Sequence, residues 1–579
     1  MMRRSRLYAW LYLFSICFYG CSQTADEEAV PNAPVPDVSV PNATVQFVDV
    51  AADVGVSLMN VSGDGEQQYL VDAFMGGAAF FDYDRDGDLD LYVLNGSRVN
   101  GFPDRDHPQN ALYRNENATF LNATEESGLG DTRWGMGCAV ADYDNDGDAD
   151  LYVTNYGNNA LYENRGDGTF ADLAQHAGVS GDGAFSTGCA FFDYDRDGDL
   201  DLYVANYIDF DYFMETTPER RHEWRGLAVH FGPQGMRGEA DVFYRNEGEG
   251  IFSEATTAAG LVDHDLLYGL GVVAGDYDND GDADLYVAND TGPNYLYDNG
   301  GDGTFTDVAW MKGVAYGEGG EPQGCMGIAF GDYDNDTYPD ILVTNFWEET
   351  NTLYHNDGGQ FFSDLTFDAG VGLESFQFLA WGTEFFDYDN DGDKDLFVAN
   401  GHVYPQVDRA NFGVRYAQTN QLFENVGRGS FAEVSRTSGA GLQIEKVSRG
   451  AAFGDYDADG DLDIFVLELN DRPTLLRNDG GDRNNYLIIR TEGTQSNRDG
   501  IGTRIKIRCG DTTQVNEVRS GSSYLSQNDL RIHFGLGKCA SVDRVDVFWP
   551  SGLVEHFENL SANRVLVIRE GSGIVEQSR

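Results

Sequence analysis

The feature that most constrains this chain is an acidic unit, Asp-x-Asp-x-Asp-Gly-Asp-x-Asp, that recurs seven times in one register. The units begin at Asp82, Asp142, Asp193, Asp276, Asp332, Asp387 and Asp455. Each follows an apolar strand and precedes a second strand of the type Leu-Tyr-Val-x-Asn. A third strand, x-Leu-Tyr-x-Asn, centres on Tyr113, Tyr162, Tyr244, Tyr297, Tyr354, Phe423 and Leu476, and a fourth is built on Phe-x-(Asp/Glu/Asn). One such unit cannot bury its own apolar faces, so neighbours must stack, and four short strands per unit suit a propeller blade. Glycine stands five residues before every acidic loop, at Gly77, Gly137, Gly188, Gly271, Gly327, Gly382 and Gly450. A position that demands glycine so regularly is crowded, as where innermost strands converge on an axis. The chain opens with a lone fourth strand at residues 45–50, and the seventh unit breaks off after its third strand, at Arg477-Asn478. The early strand can therefore complete the last blade. The expected fold is all-β: a closed seven-bladed β-propeller over residues 45–480, followed by a small C-terminal β-domain. An open solenoid is the alternative.

Carboxylates at loop positions one, three, five and nine around a glycine at position six are the geometry of a hard oxygen-ligand site. Alternate Asp side chains in a tight turn converge on one point, the glycine permits the bend, and the ninth residue closes the shell. The seventh residue is expected to offer its backbone carbonyl. Oxygen-only ligation favours Ca²⁺ over Zn²⁺ or Cu²⁺. The candidate ligands are Asp82, Asp84, Asp86, Asp88 and Asp90 in the first loop, and Asp142, Asp144, Asp146, Asp148 and Asp150 in the second. Asp193, Asp195, Asp197, Asp199 and Asp201 form the third set, and Asp276, Asp278, Asp280, Asp282 and Asp284 the fourth. Asp332, Asp334, Asp336, Tyr338 and Asp340 form the fifth, Asp387, Asp389, Asp391, Asp393 and Asp395 the sixth, and Asp455, Asp457, Asp459, Asp461 and Asp463 the seventh. In the fifth loop Thr337 replaces the glycine. A β-branched residue resists positive φ, so of up to seven calcium sites the fifth is expected to be weakest. Solvated acidic turns would not place Asp on alternate positions seven times.

These loops and strands resemble FG-GAP (VCBS-type) repeats over about residues 45–480. The resemblance implies an adhesion or ligand-binding scaffold in which calcium stiffens each blade. Residues 484–571 carry no acidic loop. Their stretches Asn497-Arg498-Asp499-Gly500-Ile501-Gly502, Gly521 to Gln527, His533-Phe534-Gly535-Leu536-Gly537 and Trp549-Pro550-Ser551-Gly552 resemble the ASPIC/UnbV domain. Repeats followed by this domain resemble the cartilage acidic protein family and its bacterial relatives, which implies an extracellular, acidic protein. No biochemical activity follows from that membership.

Residues 1–21 have the form of an export signal: Arg3, Arg4 and Arg6 precede an apolar run over residues 7–20 that is too short to span a bilayer comfortably. Its end, Phe18-Tyr19-Gly20-Cys21, resembles a bacterial lipobox with Phe18 in place of the usual Leu, which makes Cys21 the expected lipidation site. An ordinary signal peptide cut nearby is the alternative. Residues 22–44, with Pro31, Pro34, Pro36 and Pro41, read as a Pro-rich linker. The expectation is an exported protein, either a cell-envelope lipoprotein (outer membrane or periplasmic) or extracellular, with the membrane met only through the N-terminal lipid. The net charge of −59 excludes nucleic acid as a partner, since phosphate binding needs a basic face. Cys138, Cys189 and Cys325 read as small packing residues, while Cys509 and Cys539 could pair in an oxidising compartment.

Topology sorts the loops onto two faces. The acidic loops join first and second strands on one face, and the turns after second strands lie on the other. Three of those turns are long, at residues 95–110, 206–241 and 400–420, and in them arginines nearly balance acids. Long loops on a rigid ring are where function concentrates. The candidate ligand-binding residues there are Trp134, Arg220, Arg221, Arg225, Tyr268, Trp381 and His402. Two function classes stand: a calcium-stiffened binding or adhesion module for a glycan or extracellular protein, and an envelope enzyme with an active site at the channel mouth. For the second, Glu384 with Arg449 is the candidate pair. No nucleophile elbow, zinc motif or nucleotide loop is present in the sequence.

Overall fold

Strands of β-branched and aromatic residues, buried on both faces, need sheet neighbours on both sides, and the chain supplies them blade by blade. In the computed structural model, which describes residues 45–63, 67–99, 107–216, 221–248 and 250–578, the first blade runs Ala78–Phe81, Asp90–Val93, Ala111–Asn115 and Phe120–Asn122 in sheet order, all antiparallel. Five more blades repeat that order. The expected signal segment, Cys21, the Pro-rich linker and Arg220 lie outside the described residues. The seventh blade takes Ser448–Gly454, Asp463–Glu468 and Thr474–Asp479 and completes itself with Gln46–Asp49 from the start of the chain. Phe47 lies opposite Asn478 in that pair and is fully buried. The ring is closed.

Six of the seven glycines show why, and a Cβ on the seventh, Gly77, would meet the carbonyl of Leu525 instead. A Cβ on Gly137 would sit 2.7 Å from the carbonyl of Thr187 in the next blade, and one on Gly188 2.3 Å from that of Leu270. The series continues with Gly271 against Met326 (2.4 Å), Gly327 against Trp381 (2.1 Å) and Gly382 against Arg449 (2.8 Å). It closes with Gly450, where a Cβ would meet the carbonyl of Gly76 in blade one at 1.9 Å. Backbone meets backbone around the axis, and no side chain fits between. In blades two, three, four, six and seven the inner ladder slips by one residue at this point, a bulge that bends the strand toward the axis.

The C-terminal segment folds into two four-stranded sheets. One orders Ile532–Gly537, Asn485–Glu492, Val565–Arg569 and Gly573–Ser578; the other orders Thr512–Glu517, Arg504–Cys509, Ser541–Phe548 and Val554–Ser561. They share an apolar core that includes Leu487, Ile489, Ile505, Val545 and Leu566. Cys509 and Cys539 are joined as a disulfide, and Cys138, Cys189 and Cys325 are free and buried.

Between the two sheets the chain leaves the domain and enters the propeller. Residues 520–528 run into the axis, where the inner strands turn unpaired backbone groups toward one another. Buried groups of that kind need partners, and the segment supplies them. The amides of Cys138 and Ile328 donate to the carbonyls of Leu525 (3.2 Å) and Ser523 (3.0 Å). Gln527 exchanges backbone bonds with Ala78 and Phe80 (2.9 and 3.2 Å). The tip, Tyr524, is fully buried; its ring lies edge-on to Trp381 at 4.9 Å and its hydroxyl donates to the carbonyl of Phe74 at 2.8 Å. The axis is thus a filled core.

Its opposite mouth is also covered. The insertion after blade three's second strand forms a short helix, Phe210–Thr216, and a hairpin, Arg221–Trp224 with Leu227–His230. Trp224 from the hairpin packs on Trp347, Tyr404 and Phe412 at 5.2–5.9 Å.

Tyr524→Ala should therefore cost the stability of a buried aromatic, about 3–5 kcal/mol, and raise hydrogen exchange across residues 520–528. Tyr524→Phe should lose about 1 kcal/mol for its one hydrogen bond. Denaturant unfolding of both variants checks the order, and an alanine variant as stable as the parent would show that the axis does not depend on the tip.

Candidate metal centre

Each acidic loop is held by its own ninth residue. Asp90 is fully buried and spends both oxygens on backbone amides, Oδ1 accepting from Asn115 (2.8 Å) and Oδ2 from Tyr83 (3.1 Å). The same two bonds recur at Asp150, Asp201, Asp284, Asp340, Asp395 and Asp463. The third-strand Asn then reaches sideways: the amide nitrogen of Asn164 donates to the carbonyl of Tyr83 in the preceding blade at 2.8 Å. Asn246, Asn299, Asn356, Asn425 and Asn478 do the same to Tyr143, Tyr194, Tyr277, Tyr333 and Tyr388, and Asn115 closes the circle on Tyr456.

Within the loop, the first Asp folds the turn. Asp82 accepts from the amides of Asp86 and Gly87, both at 3.1 Å. The glycine at position six has φ between 91° and 102° in six loops, and Thr337 is held at 81° in the fifth, where its branched side chain is strained. Position four is also left-handed in all seven loops, at Arg85, Asn145, Arg196, Asn279, Asn335, Asn390 and Ala458. This second bend was not foreseen; the four asparagines were the available signal, since Asn tolerates that conformation best after glycine.

Position four also explains position seven. Arg85 pairs with Asp148 of the next loop at 2.7 Å and Arg196 with Asp282 at 2.6 Å. Asn145 donates to Asp199 (3.1 Å) and Asn335 to Asp393 (2.8 Å). In loops two, three, four and six the seventh side chain is thus turned to the neighbouring loop, consistent with only its backbone facing an ion.

Ligand atoms of Asp82, Asp84 and Asp90 lie within 4.8 Å of one another, as do those of Asp142, Asp144 and Asp146. So do Asp193, Asp195 and Asp197; Asp276, Asp278 and Asp284; and Asp334, Asp340 and His355. Among the described residues, Oδ1 of Asp142, Asp195, Asp278, Asp457 and Asp461 is buried with no hydrogen-bond donor. Buried oxygens left unpaired are costly, and a hard cation would answer that cost. The all-oxygen donor set fits such an ion. The fifth loop differs again: His355 Nδ1 lies 3.1 Å from Asp340 and 3.5 Å from Asp334, and Asp340 pushes its pKa up to about 9.

The expected ligand-binding residues are scattered. Arg221 and Arg225 are exposed on the hairpin, where Arg225 lies over Trp347 at 4.7 Å and pairs with Glu348. Tyr268 is half-buried, its hydroxyl donating to Met236 at 2.9 Å. Trp134 is buried against Tyr156, and Trp381 and His402 are fully buried under the cap, so these three offer a ligand no surface. Nor do Glu384 and Arg449 form an open channel pair. Glu384 accepts from Asn528 of the inserted segment at 2.7 Å, and Arg449 stacks on Trp381 at 4.0 Å while donating to the carbonyls of Ala73, Gly401 and Ser448.

The C-terminal domain sits on the acidic-loop face. The amide of Asp142 donates to Asp499 at 2.7 Å and that of Asp276 to Glu517 at 3.2 Å. Arg504 donates to the carbonyl of Thr337 (3.2 Å), and the amide of Gly537 to that of Asn390 (2.7 Å).

Burial raises the loop carboxylates: Asp82 is pushed up to about 6, Asp193, Asp276, Asp332 and Asp455 to about 7, and Asp90 and Asp142 to about 8. An unfolded Asp titrates near 3.9. Between about pH 4 and pH 8 the metal-free folded state therefore binds more protons than the unfolded state, and its stability falls as pH rises. In chelator, the melting temperature should drop steadily from about pH 5.5 to about pH 8.5; excess calcium, by replacing those protons, should flatten the decline. A metal-free melting temperature that climbs with pH would contradict this reading of the loops.

Comparison with known proteins agrees with this architecture. Residues 82–153, 142–204, 276–343 and 387–466 match the FG-GAP-like repeat, and residues 493–575 match ASPIC and UnbV. Cartilage acidic protein 1 of Xenopus tropicalis is 25% identical over 507 residues, covering 83% of this chain and 70% of that protein. The human protein is 24% identical over 506 residues, covering 82% and 69%. Among solved structures, an Agrocybe aegerita lectin that recognises non-reducing terminal N-acetylglucosamine aligns with 62% of this chain and 82% of its own, at 18% identity and a TM-score of 0.36. A Lactobacillus plantarum protein aligns over 67% and 95%, at 12% identity and a TM-score of 0.36. The chain is accordingly an FG-GAP-like repeat protein with a C-terminal ASPIC and UnbV domain, homologous to cartilage acidic protein 1.

Proposed function

We propose that the protein is an exported, calcium-stiffened β-propeller that acts as a binding module at the cell envelope, for an extracellular protein or a glycan, and that its recognition face is the cap built by the long insertions. The carrying observation is that the C-terminal domain occupies the acidic-loop face and the axis, which leaves the cap as the face of the ring open to a partner. Calcium in the loops would hold the blades rigid beneath it. The ligands are the side chains at loop positions one, three, five and nine with the seventh carbonyl, and the orphaned oxygens of Asp142, Asp195, Asp278 and Asp457, at positions one and three, support that assignment. The acidity that names the relatives matches this chain's net charge of −59. The apolar run ending at Cys21 supports export with a lipid anchor. An active site at the channel mouth finds little support, because Tyr524 fills the axis and Trp224 covers the other end.

On the cap, Arg221 and Arg225 are exposed, and Arg225 lies over the half-buried Trp224 and the buried Trp347, which suits an anionic group next to the Trp224 face. A cleft of about 550 Å³ adjoins it, lined by Asn159, Asn206, Asp209, Arg237 and Glu239. Replacing Arg221 and Arg225 together by Ser should leave the calcium-bound melting temperature nearly unchanged while abolishing capture on an array of acidic glycans. In parallel, chelation of the unmodified protein should lower its melting temperature by many degrees, since each ion held at a hundredfold excess over Kd contributes about 2.7 kcal/mol. Retained capture by the double variant would move recognition away from the cap, and an unchanged melting curve in chelator would remove the structural role of calcium.

A further inference from the structure

One half-exposed position looks onto every acidic loop: the third-strand residue just before the clamping Asn. Its occupants, in blade order, are Arg114, Glu163, Arg245, Asp298, His355, Glu424 and Arg477. Basic and acidic residues alternate. Arg245 lies 3.5 Å from Asp195 and 3.8 Å from Asp197, and His355 is bonded to Asp340. Arg114 acts on Asp84, and Arg477 on Asp457, as neighbouring positive charges. In the even blades the neighbour is a carboxylate. Glu163 accepts from the hydroxyl of loop residue Tyr143 at 3.4 Å, Asp298 accepts from that of Tyr277, and Glu424 faces Asp389 and Asp391.

We propose that this position divides the loops into two classes of calcium site: tight sites in blades two, four and six, where Glu163, Asp298 and Glu424 add negative charge beside the ligands, and weak sites in blades one, three, five and seven. The inference rests on the calcium reading of the loops and specifies which of them fill first. Ligand charge count is a principal control of calcium affinity in such loops. In the odd blades Arg245 opposes an incoming divalent ion directly, Arg114 and Arg477 oppose it more weakly because they also pair with Glu116 and Glu126 and with Asp479, and His355 already engages a ligand oxygen of the fifth. The second loop carries independent support for an ion, because Asp142 is 1% exposed and its Oδ1 has no donor among the described residues. Each of the three also meets basic residues that offset part of the gain: Arg85 on Asp148 in loop two, Lys312 beside Asp278 and Arg196 on Asp282 in loop four, and Lys538 beside Asp389 and Lys394 beside Asp387 in loop six. The strain at Thr337 adds to the weakness of loop five without creating the division.

Calcium titration calorimetry of the metal-free full chain tests this. The parent should show three tight sites and four weaker ones, separated by roughly ten- to a hundredfold in Kd. Glu163→Gln should reduce the tight count to two, and Arg245→Glu should raise it to four. The second variant guards the first, since a gain of tight binding cannot come from misfolding. Seven equivalent sites in the parent, or tight counts unmoved by both substitutions, would overturn the division while leaving calcium binding intact. An absence of calcium binding in the parent would overturn the calcium reading and this inference together.

Discussion

The structure hangs on one buried carboxylate per blade. The ninth loop residue, Asp90 and its six equivalents, binds the amide after the loop's first residue and the amide of the third-strand Asn. That fixes the loop against its own blade. The Asn it orients then bonds the preceding blade's loop through Tyr83 and its equivalents, so one Asp–Asn pair serves both the turn and the ring. The geometry demands an acceptor with two oxygens at the first site and a donor with a spare amide at the second. Asp and Asn are the smallest side chains that meet those demands. Burial makes the arrangement expensive: Asp150, Asp201, Asp284, Asp395 and Asp463 are all driven well above the ordinary carboxylate range. The fold therefore carries seven costly carboxylates whose cost a nearby cation would offset.

The centre of the ring poses the opposite problem. Seven inner strands packed through glycine leave their last backbone edges facing a narrow axis, where water would be confined and a side chain from the strands cannot reach. A third component has to fill it. The segment Ser520–Asn528 brings main-chain partners, the small residues Ser522, Ser523 and Ser526 that fit the width, and a single large tip in Tyr524. Gln527 accepts from the amides of Val140 and Gly521 through one oxygen, joining the propeller and the inserted segment in one network. The C-terminal domain is thereby part of the propeller's core as well as its neighbour on the loop face.

What the sequence revealed follows from this division. The ring, the loops and the closing strand around Phe47 were legible because each is a periodic requirement written seven times, and a departure such as Thr337 stands out against six glycines. The inserted segment was not legible: Gly521 to Gln527 has no periodicity, and its meaning lies in what surrounds it. Trp381 and His402 were misplaced for a related reason. Trp381 at the start of blade six's inner strand and His402 just after its second strand are on the correct face, but only the insertions from blades three and six reveal that this face is roofed. Position four of the loops was half legible, since four of its occupants are Asn while Arg85, Arg196 and Ala458 carry no such preference.

The contacts between the C-terminal domain and the loops carry one more consequence. Asp499 and Glu517 accept from the first amides of the second and fourth loops, which brings a half-buried and a buried carboxylate against Asp142 and Asp276. Each raises the pKa of the Asp beside it, so docking of the domain and ionisation of the loop oppose each other as long as no cation intervenes. An ion bound by the loop reverses that sign: Asp499 and Glu517 then become favourable outer neighbours of a positive centre. By linkage, whatever calcium gains from these two carboxylates the docked domain gains from calcium. Tyr524 belongs to the segment that the seated domain sends into the axis, so ions at the rim would stabilise the same closed arrangement that the aromatic tip holds from the core.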